Sequence, residues 1–170
     1  MTIAAKPANE AQRLLALRQL LILDTLPEER FDRIVAFAAF EFEVPIVFIS
    51  LVDDDRQWFK SIVGTDICST SRDVSFCAHA ILQDEIMVIE DATLDPRFMD
   101  NPLVVGEPYI RFYAGAQLVL PNGAQIGSLC LIDRKPRTLD AEDLLILSTL
   151  RQLVVTELTA PPYKPADAGA

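Results

Sequence analysis

Cys77 and His79 stand two positions apart and are the residues of this sequence whose types are best suited to chemistry. Ser75 is placed to cap a short helix over 76–82, so Cys77 falls in the first turn, where free amides and the helix dipole lower a thiol pKa. A reactive thiol is one interpretation. A packed, structural cysteine is favoured, because its neighbours are apolar and residues i and i+2 of a helix do not face each other.

Metal and cation sites are not favoured by the other chemistry-bearing residues. A structural zinc ion takes four ligands, whereas Cys68, Cys77 and His79 supply three and Cys130 lies far along the chain. The acidic run 53–55 is typical of a solvated turn between two strands. We therefore expect no metal site.

No catalytic constellation is visible in the rest of the sequence. His79 is the single histidine. Its spacing supports no serine, histidine and aspartate triad, and no glycine-rich loop is available to hold a phosphate. We expect a protein that binds a molecule or relays a signal and is not an enzyme.

A predicted β-hairpin offers the better candidate, a small polar-lined pocket. Its strands cover 111–120 and 124–132. One face of the first strand carries four residues that are polar or small, namely Arg111, Tyr113, Gly115 and Gln117. In the second strand, strict alternation places Ile126 on the same face as Ser128, while Gly127 leaves little side-chain volume. Glycine inside a strand often marks the close approach of another group.

The pocket would need a counter-charge and an apolar wall. Arg111 would supply the charge for an anionic ligand. The candidate lining residues are Trp58, Phe76, Cys77, His79, Phe98, Arg111, Tyr113, Gly115, Gln117, Gly127 and Ser128. A purely structural role is equally open, in which Arg72 and Arg111 pair with acidic residues to fix the loops. The candidate acidic partners are Asp91, Asp95 and Asp133.

The elements that must position these residues follow from periodicity and from turn residues. We expect helices over 9–23, 27–41, 76–82 and 141–158, the last capped by Asp140. We expect strands over 45–52, 56–63, 86–90, 111–120 and 124–132. A helical turn is expected within 91–99. This order predicts an α+β fold with one antiparallel sheet of five to six strands. Long N- and C-terminal helices lie on one face, and short helices and loops cover the pocket face.

Composition restricts the class of protein. With 170 residues, of which 51% are hydrophobic, the chain can form one sizeable core. A formal net charge of −10 disfavours nucleic-acid binding. Three widely spaced cysteines fit a reduced, cytoplasmic protein, and no apolar run is long enough to span a membrane. We expect a disordered N-terminal tail (1–8), one domain (9–159) and a disordered C-terminal tail (160–170).

The motifs, in this order, resemble the GAF domains of bacterial sensor histidine kinases and diguanylate cyclases. The resemblance extends over about 10–158. It is carried by the segments 22–28 (ILDTLPE), 31–32 (FD), 44–46 (VPI), 50–53 (SLVD), 56–61 (RQWFKS), Arg72, 75–81 (SFCAHAI), 91–98 (DATLDPRF), 101–104 (NPLV), 110–116 (IRFYAGA) and 126–133 (IGSLCLID).

The resemblance implies a sensory or signal-relaying module of the kind that stands upstream of a kinase or cyclase, as in two-component systems. It implies that the short helix at 75–82 and the segment 91–106 lie over the pocket. Family members bind cyclic nucleotides, linear tetrapyrroles, haem or small metabolites, so the cofactor and ligand stay unknown. No output domain follows the last helix, so we expect the regulated activity to lie in another chain or in further sequence.

Three alternatives stay open beside this interpretation. Free methionine-(R)-sulfoxide reductases are GAF enzymes, and Cys77 falls near one of their cysteines, but their second cysteine motif has no counterpart in 91–106. The phytochrome-type cysteine, to which a bilin is attached, follows an Asp-Pro-type segment. Cys77 comes before that segment, so bilin attachment is disfavoured. A structural dimerisation module is the third. Surplus apolar residues on the last helix predict a homodimer through the first and last helices.

Overall fold

The computed structural model describes residues 1–161 and contains one antiparallel sheet. Its strands are β1 (Ile46–Val52), β2 (Arg56–Val63), β3 (Ser69–Ser71), β4 (Met87–Ile89), β5 (Phe112–Val119) and β6 (Gln125–Asp133). The strand order is β3-β2-β1-β6-β5-β4. The predicted α+β architecture is confirmed, with β3 as a short edge strand that the sequence analysis did not anticipate.

Five α-helices accompany the sheet within these residues. They are α1 (Glu10–Gln19), α2 (Glu29–Phe42), α3 (Phe76–Ala80), α4 (Pro102–Val105) and α5 (Ala141–Thr159), with a 3₁₀ turn at Arg72–Val74. The predicted caps are confirmed. The Ser75 hydroxyl accepts from the amide of Ala78 (3.1 Å), and Asp140 and Asp143 cap α5 reciprocally.

Helix boundaries differ from prediction by up to four residues. α1 ends at Gln19, before the predicted Leu23, because the chain turns at Leu21, whose φ is 52°. α2 begins at Glu29, so Pro27 precedes the helix and is not part of its first turn.

Two apolar cores lie on opposite faces of the sheet. α1, α2 and α5 pack on one face, and α3, α4 and the loop 91–110 pack on the other. β1 is buried along its whole length and contributes side chains to both cores. Val47 and Ile49 point towards the long helices, and Ile46 and Phe48 point towards α3. A central strand covered on both faces is apolar at every position for this reason.

Two predicted placements are corrected. Trp58, a candidate pocket residue, lies in the core beneath the long helices, whereas its neighbour Phe59 belongs to the opposite core. Ile126 also faces the long helices, on the side opposite to Cys130 and Ile132. The hairpin register shifts between Leu118 and Val119, and such a bulge breaks strict alternation.

The N-terminal segment 1–8, predicted to be a tail, makes contacts with two loops. The Thr2 amide donates to the Arg97 carbonyl (3.1 Å), and Lys6 pairs with Asp54 (2.5 Å). Most of the second predicted tail, 162–170, lies outside the described residues. Over residues 1–161, no helix has both the length and the apolar character required to cross a membrane.

Candidate functional site

A small cavity lies between the sheet and the layer formed by α3, α4 and the flanking loops. Its volume is about 50 Å³. The sheet supplies Ile46, Phe48, Gln57, Phe59, Ile62, Thr70, Tyr113 and Ile132, and the layer above supplies Thr65, Ile67, Phe76, Cys77, Leu103, Pro108 and Ile110. This lining is almost wholly apolar, so the cavity suits an uncharged group better than an anion.

Gln57 is one of the polar side chains in the cavity lining, and its hydrogen bonds are made within the protein. Its Oε1 accepts from the hydroxyls of Ser50 (3.1 Å) and Ser75 (2.8 Å), and its Nε2 donates to Thr70 Oγ1 (2.6 Å). Because Ser75 caps α3, this network fixes where α3 begins. It thereby positions the first turn of α3, which contains Cys77, above the sheet.

Cys77 belongs to a buried cluster of two thiols and two hydroxyls. Its Sγ lies 3.2 Å from the Sγ of Cys130 on β6, and Tyr113 Oη lies 3.4 Å from Cys77 and 3.2 Å from Cys130. Ser128 Oγ lies 3.0 Å from Cys130 Sγ. Such a group of mutually hydrogen-bonded donors can hold one negative charge without solvent.

The cluster shifts the pKa values of its members in opposite directions. Burial alone would raise the pKa of Cys77, but hydrogen bonds from Cys130, Ser128, Tyr113 and Ser50 outweigh burial and lower that pKa to about 7. Burial raises the pKa of Tyr113 and of Cys130, and the charge on neighbouring thiols adds to this effect. The negative charge is therefore best placed on Cys77.

Comparison with protein families places this geometry in a known group. Residues 8–158 match the family described as GAF domain. The chain belongs to the GAF domain family. The resemblance drawn from the sequence motifs is thus confirmed.

Relatives of this GAF domain include signalling proteins. The chain is 47% identical over 153 residues to the cyclic di-GMP phosphodiesterase PA2567 of Pseudomonas aeruginosa, a match that covers 89% of this chain and 26% of that protein. The chain thus spans about a quarter of the length of this curated relative. The similarity is to a signalling protein.

Solved structures share the fold at low sequence identity. One is the GAF domain of an Acinetobacter phosphoenolpyruvate-protein phosphotransferase, with 18% identity, a TM-score of 0.62 and coverage of 86% of this chain and 92% of that one. Another is a free methionine-R-sulfoxide reductase from Neisseria meningitidis, with 17% identity, a TM-score of 0.62 and coverage of 93% of this chain and 95% of that one. These matches show the fold alone.

The polar pocket predicted on the hairpin of this GAF domain is filled by protein. The Tyr113 ring lies over Gly115, where an added Cβ would meet the phenol oxygen at 2.3 Å. Gly127 lies against the backbone of β1, and a Cβ there would stand 1.9 Å from the Ser50 carbonyl oxygen. Both glycines therefore accommodate neighbouring protein groups, and the volume expected to be open is occupied.

The predicted aromatic and polar residues separate into those at the cavity and those behind it. Phe76, Cys77 and Tyr113 line the cavity. Phe98 stacks behind Phe76, with ring centroids 4.1 Å apart. His79 Nε2 lies 2.9 Å from the Thr2 carbonyl oxygen. Burial lowers the pKa of His79.

Two polar candidates hold backbone groups instead of facing the cavity. Gln117 Nε2 donates to the carbonyls of Ala80 (3.2 Å) and Glu85, which anchors the end of α3. Arg111 donates to the carbonyls of Val104 and Ile110, both at 3.0 Å. Neither residue lines the cavity.

The alternative ion pairs for Arg72 and Arg111 are corrected as well. Arg72 pairs with Glu10 of α1. The acidic residues that had been considered as partners are engaged elsewhere: Asp91 accepts from Thr93, Asp95 pairs with Arg97, and Asp133 pairs with Arg137.

Sequence reasoning missed most of the apolar lining and the proximity of the two thiols. The second apolar set of β1, Ile46 and Phe48, was a usable signal, since it had to face something apolar. Nothing in the spacing of Cys77 and Cys130 indicates that they meet. Within residues 1–161, no group of three or more histidine, cysteine or acidic side chains is arranged to hold a metal ion.

Proposed function

We propose that this GAF domain is a regulatory module in cyclic di-GMP signalling that binds a small, mainly apolar molecule and has no catalytic output of its own. The cavity carries this proposal. Similarity to a cyclic di-GMP phosphodiesterase supports the signalling context. The partner would be an output domain such as a cyclase, phosphodiesterase or kinase, in the cytoplasm, without nucleic acid or membrane as a ligand.

The size and chemistry of the cavity limit the ligand. Pockets for drug-sized ligands occupy roughly 300–1,000 Å³, whereas this cavity measures about 50 Å³. It is thus too small for a cyclic dinucleotide or a tetrapyrrole. Because Gln57 already uses both of its polar atoms, an occupant gains its binding free energy from apolar contacts with residues such as Phe48, Phe59 and Leu103.

A ligand in the cavity has a direct mechanical connection to the long helices. Phe48 of β1 faces the cavity, and Val47 and Ile49 on either side pack under the long helices. Cores are close-packed, so an occupant that displaces β1 also displaces what packs on its other face. This supports a relay from the cavity to α2 and α5.

The relay would act on a homodimer, which we propose forms through the outer helix layer. α5 buries Leu147, Leu150 and Val154, but Leu145 and Leu153 stay exposed, as does Leu15 of α1. α2 adds two exposed aromatic residues, Phe37 and Phe40, of which Phe40 is 80% exposed. Apolar side chains concentrated on one layer are typical of an interface.

The ligand proposal can be tested with xenon and cyclopropane as small uncharged probes and cyclic di-GMP as a large anionic comparison. We expect xenon or cyclopropane to raise the melting temperature of the full chain and cyclic di-GMP to leave it unchanged. Leu103→Phe fills the cavity and should abolish the shift. Val105→Phe is the matched control on α4, because Val105 is 63% exposed and does not line the cavity.

Two results would overturn the ligand proposal: no shift with either apolar probe, or equal shifts in both variants. Hydrolysis of cyclic di-GMP, or reduction of methionine sulfoxide, by the purified chain would contradict the absence of catalytic output.

A further inference from the structure

Two buried thiols of this GAF domain meet where α3 packs on the sheet. Cys77 on α3 and Cys130 on β6 are free cysteines with Sγ atoms 3.2 Å apart, and both are fully buried. A disulfide bond is about 2.05 Å long, so the two atoms need to approach by roughly 1 Å. Both residues are held by packed elements, which keeps them within this short distance.

We propose that Cys77 and Cys130 form a disulfide when the domain encounters a peroxide, and that this bond ties α3 to β6. The disulfide would add a second input to the module. An apolar ligand would oppose it, because ligand and peroxide would enter the same cavity.

The reaction balances with hydrogen peroxide as the oxidant. The Cys77 thiolate attacks one peroxide oxygen, the O–O bond breaks, and the departing hydroxide takes up a proton to leave as water. Cys77 is then a sulfenic acid. The Cys130 sulfur attacks the Cys77 sulfur, the S–O bond breaks, and the hydroxyl leaves as water with the Cys130 proton. In sum, two thiols and one peroxide yield one disulfide and two waters.

The cavity supplies the route by which a peroxide reaches a buried thiol. Cys77 and Tyr113 both belong to its lining, but both are 0% exposed, so a peroxide in the cavity reaches the Cys77 sulfur after a small displacement of the lining. A water molecule needs roughly 10–15 Å³ of such volume, and the cavity offers about 50 Å³. A peroxide, which is about as large as two waters, fits there. The apolar lining excludes larger charged oxidants and reductants.

The hydrogen bonds around Cys77 favour the form of the thiol that attacks. Tyr113 Oη donates to Cys77 Sγ. Together with Cys130, Ser128 and Ser50 it overcomes the effect of burial and lowers the pKa of Cys77 to about 7. These hydrogen bonds therefore favour the thiolate at Cys77 over that at Cys130, and the thiolate is the nucleophile in this chemistry.

The test is peptide mapping of the full chain after mild peroxide treatment, denaturation in iodoacetamide and trypsin digestion. Trypsin places the three cysteines on separate peptides, 61–72, 73–97 and 112–134. We expect a cross-linked pair of the second and third peptides, lighter than their sum by two hydrogen masses and released by dithiothreitol. Both cysteines should lose alkylation together. Cys68→Ser removes the one exposed cysteine and should leave the cross-link unchanged.

Several outcomes would overturn the proposal. One is full alkylation of Cys77 and Cys130 under conditions that oxidise Cys68, and another is a cross-link that includes Cys68. Cys130→Ala gives a second readout, once circular dichroism has verified its fold. Cys77 should then stop at the sulfenic acid and be trapped by dimedone added together with the denaturant, and absence of that adduct would contradict the assignment of Cys77 as the attacking thiol.

Discussion

The Tyr113 ring covers Gly115, two residues along the same strand, so closely that residue 115 has no room for a side chain. An added Cβ would lie 2.3 Å from Tyr113 Oη and 2.8 Å from the ring carbons. Because Tyr113 is fully buried among Phe76, Cys77 and Cys130, the ring cannot swing away freely. We expect Gly115→Ala to lower the free energy of unfolding by about 1–3 kcal/mol, measured by urea denaturation.

A double-mutant cycle checks the cause of that loss. With the ring removed in Tyr113→Ala, the added methyl group has space, and alanine is favoured over glycine in a strand by about 0.5–1 kcal/mol. Gly115→Ala should therefore be neutral or stabilising in that background. A stabilising effect in the wild-type background would contradict the steric argument.

Gly127→Ala should be more destabilising than Gly115→Ala. The added Cβ would stand 1.9 Å from the carbonyl oxygen of Ser50, which belongs to the central strand β1. No side-chain rotation relieves a clash with backbone in the middle of the sheet, so we expect a loss of about 3 kcal/mol or more. Removal of the Ser50 side chain in Ser50→Ala should not rescue it. A loss below that of Gly115→Ala in the same urea assay would refute this.

Glu10 should make stability depend on pH in the acid range. Burial of its carboxyl would raise the pKa, but hydrogen bonds from Arg13 and Arg72 outweigh this and lower it from 4.5 to about 2. A folded-state pKa below the unfolded value gives stability that is present above pH 4.5 and is lost as the pH falls towards 2. We expect Glu10→Gln to cost about 1–3 kcal/mol at neutral pH, and the two proteins should converge near pH 2.

A matched control exists on α2. Glu29 forms an exposed pair with Arg33, with both side chains 76% exposed, and such pairs contribute little. At each pH of the same series, the urea midpoint of Glu29→Gln should be nearly equal to that of the wild type. Parallel pH profiles for Glu10→Gln and the wild type would contradict the assignment.

If the proposed dimer forms, substitution of its exposed apolar residues should lower the molecular mass of the assembly in solution. Phe40→Glu and Leu145→Glu each place a charge in the outer helix layer, so each should weaken self-association about tenfold or more. Sedimentation or light scattering of the full chain measures this. Leu94→Glu is the control, because Leu94 is 79% exposed in the loop on the opposite face of the sheet. A wild-type monomer at tens of micromolar would refute the dimer.

The sequence by itself determined the architecture and the family. The spacing of apolar residues, the helix caps at Ser75 and Asp140 and the turn at 121–123 are local properties. Most strands and helices could therefore be predicted within a few residues, whereas the short elements β3 and α4 were missed. The two apolar sets of β1 indicated a strand covered on both faces. Ile126 was placed on the wrong face because the bulge in the hairpin is a property of strand pairing. Trp58 was assigned to the wrong side of the sheet because strand pairing also decides which face of a strand meets which layer.

Only the tertiary structure decided where the cavity lies and which thiols meet. The sequence shows that Gly115 and Gly127 are small, but what fills the space beside them is set by the ring of Tyr113 and the backbone of β1. Cys77 and Cys130 stand far apart along the chain, and they meet because α3 packs across the middle of the sheet. Proximity of this kind arises from long-range packing, which no local spacing encodes.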